Sequence, residues 1–543
     1  MIDDEFYEEY EKEDTDSTYI PSKKPSMRII LLDNTIEELK YNATPFITSQ
    51  KGIKPLKTID NFSFIECYCT LFKGKKIFNR LELFLNSIGL SIHNTIYGIM
   101  SIMIGNTPLT EDLIGVFRIG EAEMAKSSMT SLVFTDKEKR LVRGGIPTEP
   151  WLRGRDLPSY SYDKLKADKV PLEYSNLVYE EIRGISDIEN SLQYHKQITE
   201  SGSFMRHNLI PAKTKSSITF IANDYTKGHD LSSFTLDKIF SRLPKIFRED
   251  EAIFDRYPFV IPHYKKTMGK IKYIEKGTKG IAVEDLEEVI KELREKRCLI
   301  NLDKYKLKGR ERRIFYKGIS SFMKIIYPEC VMSAKKVPEY ILDGVFEFVK
   351  HFNSFTVNKK IYNPFNRNSA KFILEILGFS IKKVEYVIFH EERILIKNLA
   401  EDVFYKIGLT GYGCEQNIKE WKFFKENSNK ISEIFSCEEN GISLIQKAHE
   451  LSSEDIIWIS EKKNILDEEI NRQILAQIEN EDFDNLPTHF VGTPDFFIKI
   501  AESEAKRIFQ INNPDVTKNN FVLVDGEIKF VNFSEFIREN NEE

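Results

Sequence analysis

The stretch IGEAEMAKSSM, around residue 120, contains the residue types of a phosphate-binding loop, GxxxxGK[ST]. Gly120, Lys126 and Ser127 have the spacing that such a loop needs, whereas Ala125 replaces its second glycine. The backbone N–H groups of a loop that opens a helix can bind a phosphate group. In that chemistry Lys126 would neutralise the β- and γ-phosphates of ATP. Ser127, followed by Ser128, would offer its hydroxyl group to Mg²⁺.

Two glutamates, Glu180 and Glu181, follow the short apolar run in SNLVYEE. Adjacent acidic residues after a buried strand are the pattern with which P-loop ATPases hold Mg²⁺ and activate water. We expect Glu180, which replaces the usual Asp, to support Mg²⁺ through water. Glu181 would polarise the attacking water. Paired acids after a strand are also common on protein surfaces, so this pair alone does not define a site.

Two further polar residues follow in the order expected for an ATPase of the AAA+ type. Asn223 ends the apolar run in SSITFIAND, where a polar sensor of the nucleotide is expected, although Asn also ends many strands in ordinary turns. Arg256 precedes the run FVIP, where an arginine finger for the neighbouring subunit would lie, although a single Arg is more often a surface residue. The order of the features favours a nucleotide site more than any one of them does.

The segments that would position these residues alternate between strands and helices. DLIGVFRI (112–119), SNLVYEE (175–181) and SSITFIAND (216–224) are apolar enough for buried strands, and serines after Lys126 suit the first turn of a helix. This alternation predicts an α/β fold, a parallel sheet with helices on both faces whose ligand binds at the carboxyl ends of the strands. VEDLEEVIKELREKR (283–297) predicts an amphipathic helix.

Composition excludes few classes of protein. The chain has 543 residues and a net charge of −6, but its first sixteen residues carry nine acids and one lysine. The rest therefore carries +2, the difference between −6 and −8, which neither supports nor excludes nucleic acid binding. Six scattered cysteines predict reduced thiols. The acidic start and the lack of a long apolar run predict a cytoplasmic protein without a membrane span.

Seven stretches carry a resemblance to a known family. They are FLNSIGL (84–90), RGGIPTEPWL (143–152), YEEIRGI (179–185), TESGSFMR (199–206), ITFIAND (218–224), LPKIFREDEAIFDRYPFVIP (243–262) and KGISSFMKIIYP (317–328). In this order they resemble the AAA+ region of the Lon-like BREX phage-defence proteins, the BrxL family, over about residues 77–352. That family in turn resembles the minichromosome-maintenance replicative helicases, whose phosphate loop ends in Ala-Lys-Ser. Ala125 is therefore compatible with a working loop.

The resemblance implies an ATP- and Mg²⁺-dependent ring protein, a homo-oligomer with a hexamer expected, that acts on DNA together with defence-system partner proteins. Arg310, in KGRERR, matches the position of a second sensor, or else belongs to a solvated basic loop. The helicases carry a pore hairpin between the acidic strand and the sensor strand. In the matching segment, Arg206 and His207 would contact DNA phosphates, or else lie at the tip of an ordinary surface hairpin.

The family name also implies a Lon-type protease. No serine among small residues with a lysine at dyad distance follows residue 353, so we expect no peptidase activity. A scaffold or recognition protein that binds nucleotide without hydrolysing it is the alternative function, favoured by Glu180 and by His207, which replaces a family glycine. The predicted divisions are an acidic disordered tail (1–25), a small N-terminal region (26–76), an AAA+ ATPase core (77–262), a helical lid (263–352) and an α+β C-terminal region (353–543).

Overall fold

The computed structural model describes residues 24–33, 47, 54–92, 94–104, 115–127, 134, 138–143, 149–154, 169–180, 194–195, 198, 202–206, 209–214, 216–223, 257–272, 274–332, 337–353, 367–378, 384–389, 392–398, 403–429, 431–447, 494–510, 516, 521–524, 527–531 and 533.

A five-stranded sheet forms the centre of the molecule. Its strands are β3 (Gly115–Gly120), β4 (Lys139–Arg143), β5 (Asn176–Glu180), β8 (Ser217–Asn223) and β9 (Phe259–His263). They lie in the order β4-β5-β8-β3-β9, and every neighbouring pair is parallel. Because most of these strands are buried on both faces, they appear in the sequence as continuous apolar runs. This is the α/β fold of a P-loop ATPase core, as the sequence predicted.

Stacked rings join the strands of this sheet on one face. Phe220 lies between Phe117 and Tyr179, with ring centroids 5.1 Å and 5.0 Å apart, and Tyr257 meets Phe220 edge-on at 4.9 Å. All four side chains are almost completely buried. Aromatic pairs in these geometries add to the stability that burial alone provides, so they fix the register in which the strands present their carboxyl ends.

A short hairpin lies between β5 and β8 along the chain. Its strands, β6 (Ser203–Met205) and β7 (Pro211–Lys213), pair antiparallel, and the helix α4 (Glu149–Leu152) precedes it in the chain. Arg153, directly after α4, donates a hydrogen bond to the carbonyl oxygen of Met205 at 2.6 Å. The segment predicted to form a hairpin therefore does so.

A second, antiparallel sheet in the order β10-β1-β2 joins two N-terminal strands, β1 (Ser26–Leu31) and β2 (Lys57–Asp60), to a strand from much later in the chain, β10 (Lys279–Ile281). Three helices follow β2 along the chain, namely α1 (Phe64–Phe72), α2 (Ile77–Ser87) and α3 (Ile96–Ile104). Arg28 and Asp285 make a two-point ion pair, with contacts of 2.6 Å and 2.8 Å, that joins β1 to the helix beginning at Val283.

Residues 263–352, the predicted lid, are mostly helical and also contain strand β10. The helices are α5 (Lys265–Met268), α6 (Val283–Glu295), α7 (Gly309–Ile326), α8 (Glu329–Met332) and α9 (Glu339–Phe352). The amphipathic helix predicted at 283–297 is α6, and α7 ends two residues before Pro328. Of the helices in the described parts of the chain, none is both long enough and apolar enough to cross a bilayer.

The C-terminal part contains a five-stranded antiparallel sheet in the order β11-β12-β13-β15-β14. Its strands are β11 (Val384–Phe389), β12 (Arg393–Asn398), β13 (Val403–Gly408), β14 (Ile434–Cys437) and β15 (Ser443–Lys447), and its helices are α10 (Arg367–Ile376), α11 (Gly411–Glu426) and α12 (Pro494–Phe509). A further antiparallel pair is formed by β16 (Phe521–Val524) and β17 (Glu527–Phe530). The six cysteines are free thiols. The five divisions of the chain given above stay predictions.

Candidate nucleotide-binding site

Strand β3 delivers the predicted loop to the carboxyl edge of the central sheet. Its last residue, Gly120, pairs with Asn223 on one side and with His263 on the other. Gly120 has φ +156°, and a Cβ atom on it would lie 1.9 Å from the carbonyl oxygen of His263. Only glycine fits there, which gives the first glycine of the motif a physical reason.

The loop itself uses left-handed backbone at two residues that are not glycine. Glu123 has φ +63° and Ala125 has φ +54°. A left-handed conformation costs an L-residue about 1–2 kcal/mol, and Gly avoids this cost. Ala125 is buried, so its methyl group packs inside the protein. Ala125 therefore takes the backbone conformation that the second glycine of the motif would take, with a modest strain.

Lys126 begins the helical turn that follows the loop, and its side chain is 5 % exposed. Its Nζ atom donates hydrogen bonds to the carbonyl oxygens of Gly120, at 3.1 Å, and of Glu121. The ammonium group is therefore folded back into the loop. Ser127 is exposed in the same turn. Ser128 lies outside the described residues.

Two of the predicted polar residues lie at the same edge of the sheet. Asn223 ends β8 level with Gly120, and Glu180 ends β5, whose Tyr179 pairs with Phe220. Glu180 is therefore level with Ile221, two residues before Asn223, and it lies about 7 Å from the level of Asn223 along the strand direction. Both side chains are half-buried. Glu181, the predicted water-polarising residue, lies outside the described residues.

The groups at this edge have the chemistry that Mg²⁺ and a nucleoside triphosphate need. An ammonium group suits phosphate oxygens, and hydroxyl and carboxylate oxygens are the ligands that Mg²⁺ prefers. Lys126 would contact phosphate, while Ser127 and Glu180 would hold Mg²⁺. A bound Mg²⁺ neutralises phosphate charge.

Of the two arginines predicted for the site, the structure describes Arg310 but not Arg256. Arg310 lies in the first turn of α7, and its side chain is exposed. Arg256 lies outside the described residues, directly before the buried Tyr257 and strand β9. Their roles stay predictions.

The hairpin carries the predicted DNA-contacting residues, and Arg206 follows its first strand. The guanidinium group of Arg206 is paired with the carboxylate of Glu173, with contacts of 2.5 Å, 2.6 Å and 2.8 Å. His207 lies outside the described residues. At the turn, Leu209 is 72 % exposed and has φ +63°. Glu173 was missed by sequence reasoning because nothing local connects it to Arg206.

Two buried residues beneath the loop were also missed. Arg118, in β3, places Nη1 2.9 Å from Nε2 of His263, and Nδ1 of His263 lies 2.9 Å from the carbonyl oxygen of Met124 in the loop. Arg118 and His263 are fully buried. The signal was available, because Arg118 is the one charged residue in the apolar part of DLIGVFRI.

A family model described as Lon-like protease BrxL-like, ATPase domain, matches residues 168–362. No curated protein matches the chain. The match confirms the resemblance to BrxL-type ATPases over β5, β8, β9 and the helices α5 to α9. It begins after the phosphate loop, so the assignment of the loop rests on its own geometry.

Proposed function

We propose that this protein is a ring-forming AAA+ ATPase that binds and hydrolyses Mg·ATP and acts on DNA in prokaryotic anti-phage defence. The observation that carries the proposal is the shared edge of the central sheet. The loop after β3, with Lys126, lies at the same edge as the polar ends of β8 and β5, Asn223 and Glu180. The match to a defence-associated ATPase domain supports it.

Each candidate residue of the site has a defined role in the proposed hydrolysis. Lys126 leaves the loop carbonyls and contacts the β- and γ-phosphates, so its charge is offset by phosphate. Asn223 orients the attacking water or senses the γ-phosphate from the end of β8. Glu181 polarises the water for in-line attack. Arg310 would contact the nucleotide from the lid.

Arg256 acts in trans. An arginine finger stabilises the charge that develops on the γ-phosphate, and it reaches that phosphate from the neighbouring subunit. Repeated head-to-tail contacts of this kind close into a ring, for which we expect six subunits.

DNA would pass through the ring along the hairpins. Arg206 and His207 of each subunit would line the pore and contact phosphates without reading bases. The near-neutral body of the chain is compatible with this, because attraction of DNA depends on local charge placement. The proposed protein has no peptidase activity. Its C-terminal part would contact partner proteins of a cytoplasmic defence system.

The test is ATP hydrolysis by purified protein with and without double-stranded DNA, beside Lys126→Ala. Hydrolysis that Lys126→Ala abolishes and DNA stimulates is the expected result. ATP binding without hydrolysis under both conditions would favour the nucleotide-gated scaffold, for which Glu180 in place of Asp is the specific observation. Hydrolysis that Lys126→Ala leaves unchanged would contradict the assignment of the site.

A further inference from the structure

A charged residue is buried in the strand that carries the phosphate loop. Arg118 is 0 % exposed, and burial lowers the pKa of its guanidinium group to about 9, so the group is still charged at neutral pH. Its Nε and Nη2 atoms have no hydrogen-bond partner among the residues that the structure describes. Burying a charge with so few partners costs stability, so its position calls for a physical explanation.

His263 connects Arg118 to the loop. Residue 118 pairs with Ile261, and His263 follows two positions later in β9, so Arg118 and His263 point to the same face of the sheet. Burial and the neighbouring charge of Arg118 hold the pKa of His263 well below its usual range, so the imidazole is neutral. Since Arg118 can only donate, Nε2 of His263 accepts, and Nδ1–H donates to the carbonyl oxygen of Met124.

The end of β9 holds the loop at two points. The carbonyl oxygen of His263 accepts a hydrogen bond from the N–H of Glu121 at 2.9 Å, at the start of the loop. The imidazole holds the carbonyl of Met124, which lies between the two left-handed residues, Glu123 and Ala125. A loop that lacks its second glycine has a conformational cost there, and the bond to Met124 offsets part of that cost.

We propose that Arg118 and His263 are positioning residues that hold the phosphate loop in the conformation that binds phosphate. Arg118 orients the imidazole ring and fixes its tautomer, and the imidazole fixes the Met124 peptide. The role in nucleotide binding rests on the proposed function, whereas the role in ordering the loop does not.

Two substitutions at His263 separate this role from simple packing. The amide nitrogen of Asn can take the place of Nδ1, so His263→Asn keeps the donor to Met124 and loses the acceptor for Arg118. The amide oxygen of Gln can take the place of Nε2, so His263→Gln keeps the acceptor and loses the donor to the loop. A merely structural role, which requires only a filled and polar core, predicts similar effects of both.

The first measurement is amide hydrogen exchange of residues 115–127 without nucleotide. We expect His263→Gln to speed exchange of the loop about tenfold, the effect of one lost hydrogen bond, and His263→Asn to change it less than about threefold. The second is the affinity for a fluorescent ATP analogue, which should weaken by the same factors. Arg118→Met should give an intermediate loss of loop protection and of affinity. The double variant Arg118→Met with His263→Gln should lose no more than His263→Gln alone, because both act through the hydrogen bond from His263 to Met124.

Equal effects of the two His263 variants, or additive effects of Arg118→Met and His263→Gln, would overturn the inference. If His263→Gln does not fold, His263→Leu takes its place, because it lacks the acceptor for Arg118 as His263→Asn does and differs from it in lacking the donor to Met124; faster loop exchange in His263→Leu than in His263→Asn is then expected, and equal exchange would overturn the inference. A wild-type protein that does not bind ATP would contradict the proposed function alone, since the exchange measurement reports on the loop in either case.

Discussion

Arg206 and Glu173 form a close ion pair between the hairpin and the turn that precedes β5, and both side chains are about 15 % exposed. The charge proposed to contact DNA is therefore already engaged with a carboxylate. Because Gln keeps an acceptor for the N–H of Val170 while losing the charge, Glu173→Gln should release Arg206 with little damage to the turn. We expect DNA affinity to rise about three- to tenfold and its salt dependence to steepen.

Fluorescence anisotropy with labelled duplex at several salt concentrations measures both quantities. Arg206→Ala should make the salt dependence shallower, and the double variant should resemble Arg206→Ala alone. These effects should be independent of DNA sequence. If Arg206→Ala binds DNA as tightly as wild type at every salt concentration, the hairpin is not the path of DNA and the scaffold alternative gains support.

Replacing Lys126 tests the phosphate contact. Lys126→Ala removes one charge-assisted contact and should weaken ATP binding by about 2 kcal/mol, roughly thirtyfold. Lys270→Ala is the matched control, since it removes the same charge from an exposed residue. Titration calorimetry with a non-hydrolysable analogue measures both. Equal affinities of Lys126→Ala and wild type would contradict the assignment of the loop.

Gly120 tests whether the end of β3 is as tightly enclosed as the structure indicates. In Gly120→Ala the new methyl group would meet the carbonyl oxygen of His263 at 1.9 Å, so strands β3 and β9 must separate. We expect a loss of several kcal/mol, seen as a lower thermal midpoint and a loss of ATP binding. Gly277→Ala is the control, because Gly277 has φ +88° and no atom of the described residues lies within 4 Å of the place that a Cβ atom would take. It should cost only about 1 kcal/mol.

Three strands of the central sheet could be predicted from the sequence because they are continuous apolar runs buried on both faces, whereas β4, with the sequence KRLVR, was missed because it lacks such a run. The runs that end at Gly120, Glu180 and Asn223 were located by that pattern, and α6 by its amphipathic period. The loop was recognised by the types and spacing of its residues and by the apolar strand before it. Its left-handed Ala125 could not be predicted, since alanine disfavours that conformation.

Contacts between distant segments were outside the reach of sequence reasoning. Arg206 and Glu173 are 33 residues apart, and Arg118 and His263 are 145 apart. Neither pair follows a periodic pattern, because both depend on which strands and turns become neighbours in the fold. A lone charged residue in an apolar strand, such as Arg118, is nevertheless a signal that sequence analysis can use in other chains.

Mixing two inactive variants tests the ring. Arg256→Ala lacks the finger and Lys126→Ala lacks the phosphate contact, so neither should hydrolyse ATP alone. In mixed rings, an intact Lys126 of one subunit can meet an intact Arg256 of its neighbour, which should restore part of the activity. Mass measurement in solution with ATP gives the number of subunits. A strictly monomeric protein at micromolar concentration with ATP, or mixtures without restored activity, would count against a finger in trans.

The C-terminal part offers a prediction that is independent of nucleotide. Glu420, in α11, lies between Nη1 of Arg393 and Nζ of Lys406, each 2.7 Å from one of its carboxylate oxygens, and it is 0 % exposed. Burial alone would raise the pKa of Glu420, but the two neighbouring positive charges and their hydrogen bonds lower it from 4.5 to about 2. A shift of this size corresponds to about 3 kcal/mol of stability at neutral pH.

Between pH 4.5 and about 2, the unfolded chain binds a proton at Glu420 while the folded chain does not, so stability falls as the pH falls through this range.

Glu420→Gln leaves two buried cations without their carboxylate, and it should lower the opening free energy of this region by about 3–5 kcal/mol at pH 7. Hydrogen exchange of residues 403–426 measures this loss, with the exposed Glu415→Gln on the same helix as the control. At about pH 3.5 the wild type has lost part of the ionic contribution, so the difference in exchange rate between wild type and Glu420→Gln should shrink by roughly tenfold. A difference that is the same at both pH values would mean that Glu420 stabilises this region by packing and not by its charge.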